Sequence, residues 1–330
     1  MGTPFIALLE PATLLSHWDR KLPSSGQKHP SIPRTFIDAM SVREQVYVVE
    51  QGVPQENEFD DDDGRSCHWV IYASVNIKAP VDPAIAANED PITPLDDLAT
   101  TTKRRPRRSE TRSLPIGTIR LVPFPHPPHP RNGGVYVDGQ LINAGEPVSA
   151  VANAAHRRPA SPSSIPGTEP PDNNDADEEN DENEMKEEEV VLPLTKAERA
   201  RLIRTLPFCL DRATSLHDGT EPYIKLGRLA VLKEFRGRGI AGQLVRTAVE
   251  WMRQHQTAFN PSVTVIGFKN LGLGVTQPGE VPRWRGLVCC HAQEDAVKLW
   301  EKCGFEVDKG MGRWLEEGIP HVGMFMRVKL

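Results

Sequence analysis

Several protein classes are excluded by what this sequence lacks. No apolar run approaches the ~20 residues a membrane-crossing helix needs. The N-terminus has no basic region followed by a sustained apolar stretch, so no signal peptide is expected. Gly2 is present, but Ile6 stands where myristoylation calls for Ser or Thr. Cysteine is sparse. The five cysteines (Cys67, Cys209, Cys289, Cys290, Cys303) include no C-x-x-C pair, which argues against a disulfide scaffold or thiolate cluster. They read as reduced, mostly buried thiols of an intracellular protein. Adjacent Cys289 and Cys290 point to opposite faces of any strand that holds them, so they are poor disulfide partners. Acidic residues are missing altogether from Trp251 through Gly279.

Hydrophobic residues make up only 38% of the 330, against 30 prolines, so part of the length is not core. The formal charge of −6 is uneven: residues 175–189 hold ten acidic groups and one lysine, leaving 38 basic against 35 acidic residues elsewhere. Two stretches bury too little apolar surface to offset chain entropy. The first, 78–112, is proline-bearing and includes the basic run Lys103-Arg104-Arg105-Pro106-Arg107-Arg108. The second, 124–191, opens with FPHPPHP and ends in the acidic tract. Both are expected to be disordered insertions in one discontinuous domain with its core at about 30–77, 113–123 and 192–330. Gly134 to Ile142 can form a short strand within the second, and Leu192 to Leu206 has helical spacing. The expected elements also include a helix over Arg34 to Glu50 and strands over His68 to Ala73 and Ile116 to Pro123.

Residues Gly227 to Val245 carry the strongest signal. A short apolar strand, Leu229-Ala230-Val231, leads into a charged turn and then a glycine-rich helix start. Ile240, Leu244, Val245, Ala248, Val249 and Met252 fall on one helical face. Unpaired N–H groups and the helix dipole at such a start favour an anion. Gly237, Gly239 and Gly242 allow a phosphate to approach the backbone, and Arg236 and Arg238 add charge. The spacing G-x-G-x-x-G also fits a dinucleotide site. That site calls for an acidic residue roughly 20 positions on, for the ribose, and none is there. No GK[ST] of a P-loop is present.

Arg236-Gly237-Arg238-Gly239-Ile240-Ala241 resembles the R/Q-x-x-G-x-G/A signature of the GNAT superfamily of N-acetyltransferases. Downstream, His291-Ala292-Gln293, Ala296, Trp300-Glu301-Lys302 and Gly304-Phe305 are similar to that family's N-x-x-A-x-x-x-Y-E-K-x-G-F element. Val42-Arg43, Val46 to Gln51, Glu58, Asp60, Asp63 and His68-Trp69-Val70 resemble the opening of the ElaA-like branch, and Glu316 to Met324 its closing strands. The four blocks cover about half the chain. The resemblance implies an α/β (α+β) fold, with a mostly antiparallel, partly splayed sheet flanked by helices.

It also implies an acetyl-CoA-dependent N-acetyltransferase acting on a primary amine by direct attack in a ternary complex. The pyrophosphate would lie on Arg236, Gly237, Arg238, Gly239, Ile240, Ala241 and Gly242. Pantetheine would run along Leu229, Ala230 and Val231, with Gln293 and Trp300 nearby. Trp300 stands in place of the usual tyrosine acid; indole is no practical acid, so Trp300 reads as packing. That departure motivates the alternative, a CoA-binding interaction or regulatory protein whose catalysis has decayed. His291 is a candidate general base by its ordinary pKa. Glu50 is a second catalytic candidate, with Glu58 and His68 similar; the Glu50-Gln51 pair is expected to line the acceptor pocket, whereas Asp60 to Asp63 reads as a solvated loop. His126 and His129 bring no third ligand with them, so no metal is expected. A small-molecule or protein amine acceptor is expected, and no membrane. The basic run resembles a nuclear-import or nucleic-acid patch, and the acidic tract suits basic partners; nucleic acid is not the expected partner. A cytoplasmic or nuclear location follows.

Overall fold

The computed structural model describes residues 5–11, 15–78, 109–142, 209–260 and 283–330. The basic run, the acidic tract and the Leu192 to Leu206 pattern lie outside the described residues.

Ten strands form one mixed sheet among the described residues. They are β1 (Phe5–Leu9), β2 (Cys67–Lys78), β3 (Ser109–Val122), β4 (Val135–Val137), β5 (Gln140–Leu141), β6 (Ile224–Val231), β7 (Leu287–Gln293), β8 (Glu306–Val307), β9 (Arg313–Glu316) and β10 (Ile319–Arg327). Their order is β1-β2-β3-β6-β7-β10-β9-β4-β5, with β8 also on β10. Most pairings are antiparallel; β6 with β7 and β4 with β9 are parallel. The principal helices are α1 (Arg34–Arg43), α2 (Gln55–Glu58), α3 (Ile240–Gln254) and α4 (Val297–Lys302).

The α3 helix turns its apolar stripe onto the sheet. Leu244, Val245, Ala248, Val249 and Met252 pack there with Trp69, Ile71, Ile119, Leu226, Val288, Cys290 and Trp300. The opposite face carries α1 through Phe36, Ala39 and Met40. Cys289 and Cys290 do face opposite sides, each in a different apolar cluster. Burial pushes the Cys289 thiol up to about 12 and raises Cys290 well above its ordinary value, so both stay protonated.

Three boundaries differ from expectation. Residues before 30 belong to the packed unit: β1 pairs with β2, and Leu15, Trp18 and Ile32 bury against Phe36 and Met40. The β2–β3 hairpin reaches Lys78 and Ser109, further into the first expected insertion. Residues 124–142 are also packed, with His126, His129 and Val135 buried. Their Asp138-Gly139 turn has both φ angles positive (47° and 69°), as a tight hairpin between β4 and β5 requires. These segments lack long periodic patterns, which hid them in the sequence.

The helix over Arg34 to Glu50 is present but changes character. After Arg43 it widens into a π-helix, Glu44–Glu50, and stops at Gly52 (φ 78°).

Candidate active site

The site is built by a divergence of two parallel strands. β6 and β7 pair at Ile224–Val288, Lys225–Cys289 and Leu226–Cys290, and then separate. Beyond that point Gly227 to Val231 have a strand partner only on their β3 side, while His291 to Gln293 pair with β10. An extended ligand entering the wedge meets backbone groups along β6. The divergence begins at a bulge: the β3–β6 register shifts between Thr118 and Arg120, and Arg228 takes a positive φ of 47°.

That conformation is costly for a residue with a Cβ, and a buried ion network holds it. The Arg228 guanidinium lies 3.0 Å from Asp60 and 3.5 Å from Glu58. Arg120 bonds Asp60 and Asp63 at 2.5 and 2.8 Å, and Arg43 bonds Glu58 and Asp63, both at 2.6 Å. Three arginines thus face three carboxylates, and Arg43 and Asp63 are fully buried. Burial alone would raise the Asp63 carboxyl, but Arg43 and Arg120 outweigh it and hold Asp63 well below the usual range. The expectation of a solvated loop at Asp60 to Asp63 is therefore corrected: Asp61 is exposed, whereas Asp60 and Asp63 are clamped under the bulge.

The turn after β6 opens towards solvent. Gly237 (φ 74°) and Gly239 (φ 76°) are left-handed, and a Cβ at either would meet open space. Backbone conformation, not crowding, calls for glycine there. Gly242 has no such φ and sits under the tip of Arg246. Gly239 is the N-cap of α3, with no capping side chain and no acidic residue in the first turn, which leaves the N-terminus electropositive. Arg236 is engaged within the protein: Nε donates to the Val231 carbonyl at 2.8 Å and Nη2 to Glu50, also at 2.8 Å. It braces the turn against the π-helix. Arg238 lies over the Phe235 ring.

The π-helix forms the other wall. The Tyr47 hydroxyl donates to the Leu229 carbonyl at 3.0 Å. Gln51 and Gln293 exchange two amide hydrogen bonds (3.1 and 2.9 Å) across the mouth of the wedge. Deeper in, His291 Nδ1 lies 3.1 Å from Glu316, which also accepts from the Trp314 indole at 2.7 Å. Burial, with Lys225 adding to it, lowers His291 to about 4. His291 is thus neutral at pH 7 and a weaker base than its ordinary pKa suggested. The candidates Glu50 and His291 fall in separate clusters, one with Arg236 and one with Glu316. Trp300 is buried against Phe305, with ring centroids 5.0 Å apart. Glu316 and Tyr47 become visible as site residues only through their partners. Beyond the wedge, Asp211 and His217 approach His129, supplying the ligand types whose absence had argued against a metal.

Acid should unfold this protein early. His68 is buried, donates Nε2–H to the Asp63 carbonyl and is lowered to about 4 by burial, against a partial opposing pull from Asp63. The unfolded chain takes up that proton near pH 6.5 while the folded chain resists until about pH 4. Stability is therefore lost as pH falls through that window, by ~3 kcal/mol from His68. His291 acts in the same direction. Denaturant titrations at pH 7 and pH 4.5 measure the loss, and equal stability at the two would show that His68 is not held neutral.

Residues 167–265 match the model of the acetyltransferase (GNAT) family. That stretch contains β6, the glycine turn and α3. In three dimensions the chain is similar to Escherichia coli ElaA, at 12% identity and a TM-score of 0.37 over 98% of this chain and 100% of that one. It is similar also to an acyl-CoA N-acyltransferase from Pseudomonas aeruginosa, at 11% identity and a TM-score of 0.35 over 98% and 99%. No curated protein matches the sequence. Among the described residues, no helix is long and apolar enough to cross a membrane. The matched stretch, under a third of the chain, carries the glycine turn and the helix behind it, and the chain is similar there to the acetyltransferase (GNAT) family.

Proposed function

We propose that this protein transfers the acetyl group of acetyl-CoA to a primary amine by direct attack in a ternary complex. The observation that carries this reading is the coincidence of two features. The open edge of β6 at Leu229, Ala230 and Val231 adjoins the bare N-terminus of α3 at Gly239. A pyrophosphate on the amides of Gly237 to Gly242 would send the pantetheine arm into the wedge, towards His291. Arg236 contributes by bracing the turn, and Arg238 supplies charge at its rim. Entry of the arm past Gln293 would break the amide pair with Gln51.

In the reaction the amine nitrogen bonds to the thioester carbon, and backbone N–H groups of β6 stabilise the resulting oxyanion. The C–S bond then breaks and the thiolate leaves, taking its proton from water. Glu316, an ionised acceptor, holds His291 with its proton on Nδ1, so Nε2 is free to accept the proton lost by the amine. Trp300 supplies packing beneath the site and no proton.

Acetyl-CoA turnover against a panel of small amines, amino sugars, polyamines and lysine peptides, read as thiol release, tests the proposal. Saturable CoA binding without thiol release for any acceptor would favour a binding protein instead. His291→Ala is expected to lower kcat by ~10²-fold with little change in CoA affinity. Unchanged kcat across the pH range would remove His291 from the mechanism.

A further inference from the structure

The HPPHP loop was left without a role by the acyl-transfer site, and the fold brings it against a second segment far along the chain. His129 from that loop meets Asp211 and His217, and one ligand atom from each lies within 4.8 Å of the other two. His129 Nε2 is 2.9 Å from His217 Nδ1 and 3.5 Å from Asp211 Oδ2. Two donors on a tetrahedral ion at 2.0–2.1 Å are roughly 3.3 Å apart, so these separations straddle what one ion would impose.

The surroundings of His217 are arranged as they are around a metal-bound imidazole, whereas Nδ1 of His129 is buried without a hydrogen-bond partner. His217 Nε2 bonds the Glu221 carbonyl at 2.9 Å, which places the proton on Nε2 and leaves the Nδ1 lone pair directed at the cluster. Asp211 is oriented by the backbone N–H groups of His129 (3.0 and 2.8 Å) and Arg212 (2.7 Å). Tyr223 and Phe325 pack against both imidazoles. A small cavity lined by His126, Cys209, Asp211, His217 and Glu221 opens beside the group.

We propose that His129, Asp211 and His217 form a divalent metal site of the Zn²⁺ class, with water as fourth ligand. Two imidazoles and one carboxylate suit a borderline ion that accepts tetrahedral N/O coordination. Cys209 lines the cavity wall but is outside the ligand set. The site lies away from the wedge, on the loops that precede β4 and β6. One ligand comes from before residues 143–208 and two from after them, so the ion would cross-link the two ends of that segment against the sheet. Its role is structural: metal binding contributes folding free energy to loops that have little regular structure of their own.

The test uses the full-length protein, stripped of metal by chelator dialysis and titrated with Zn²⁺ alone in a calorimeter. One equivalent should bind saturably and raise the thermal midpoint. His217→Ala and Asp211→Asn should each weaken Zn²⁺ binding at least ~100-fold, while Cys209→Ser should leave it within about twofold. Should the variants fold poorly, Co²⁺ added to the unsubstituted protein gives an independent readout. Visible bands of a four-coordinate ion, without a thiolate charge-transfer band, are expected. Absence of saturable Zn²⁺ binding, binding that survives His217→Ala, or a thiolate band with Co²⁺ would each overturn the assignment.

Discussion

Gly239→Asp should weaken CoA binding about 100-fold while the fold persists. Gly239 caps α3 with φ 76°, and a Cβ built there meets open space, so the substitution causes no collision. Aspartate tolerates left-handed backbone better than most residues and is itself a favourable N-cap. Stability therefore should change little. The carboxylate, however, would accept the first-turn N–H groups and put negative charge where the pyrophosphate is proposed to sit. Loss of those amides together with like-charge repulsion should weaken CoA by about two orders of magnitude, or roughly 2.7 kcal/mol. Gly239→Ala serves as the neutral control and should lose far less. Calorimetry with CoA measures both. Unchanged affinity in the aspartate variant would remove the turn as the phosphate site, and tight NADH binding by the parent would revive a dinucleotide reading.

Replacing Arg43 with methionine should cost about 3–5 kcal/mol of folding stability. Its guanidinium is fully buried and bonds Glu58 Oε1 and Asp63 Oδ1 at 2.6 Å each, with a further bond to the Glu58 carbonyl at 2.6 Å. The network of Arg43, Arg120 and Arg228 with Glu58, Asp60 and Asp63 balances in charge. Methionine fills much of the space but leaves one carboxylate uncompensated in a site from which water is largely excluded. Burial raises the cost of that charge, and it is the neighbouring arginines that chiefly hold Asp60 and Asp63 below the usual carboxylate range. Denaturant unfolding gives the loss directly. A variant carrying Arg43→Met together with Glu58→Gln restores the balance and should recover part of it. A cost below about 1 kcal/mol for the single variant would mean that the cluster is hydrated and unimportant to stability. The effect should extend to function, because the same network supports Arg228 at the bulge that parts β6 from β7.

How much of this was legible depended on whether the information was local. α3 could be read because Leu244, Val245, Ala248, Val249 and Met252 recur on one face, and its start because glycine punctuates the chain at 237 and 239. β2, β3 and β7 could be placed, though not bounded, because their apolar runs are short and their ends depend on neighbours. The packing role of Trp300 followed from its chemistry alone. By contrast, no local pattern marks Leu15 and Trp18 as core, since they bury in irregular segments against α1.

The sequence by itself determined the glycine turn, the principal helix behind it and the family resemblance, because each rests on neighbours along the chain and on backbone demands that only certain residues meet. Only the tertiary structure decided what each charged group does. It paired Arg236 with Glu50, set Glu316 beside His291, withdrew Asp63 from solvent and carried Asp211 and His217 to His129. An electrostatic partner is chosen by proximity in space, and burial sets how strongly the pair interacts; neither distance nor solvent exclusion is written in the spacing of residues along the chain.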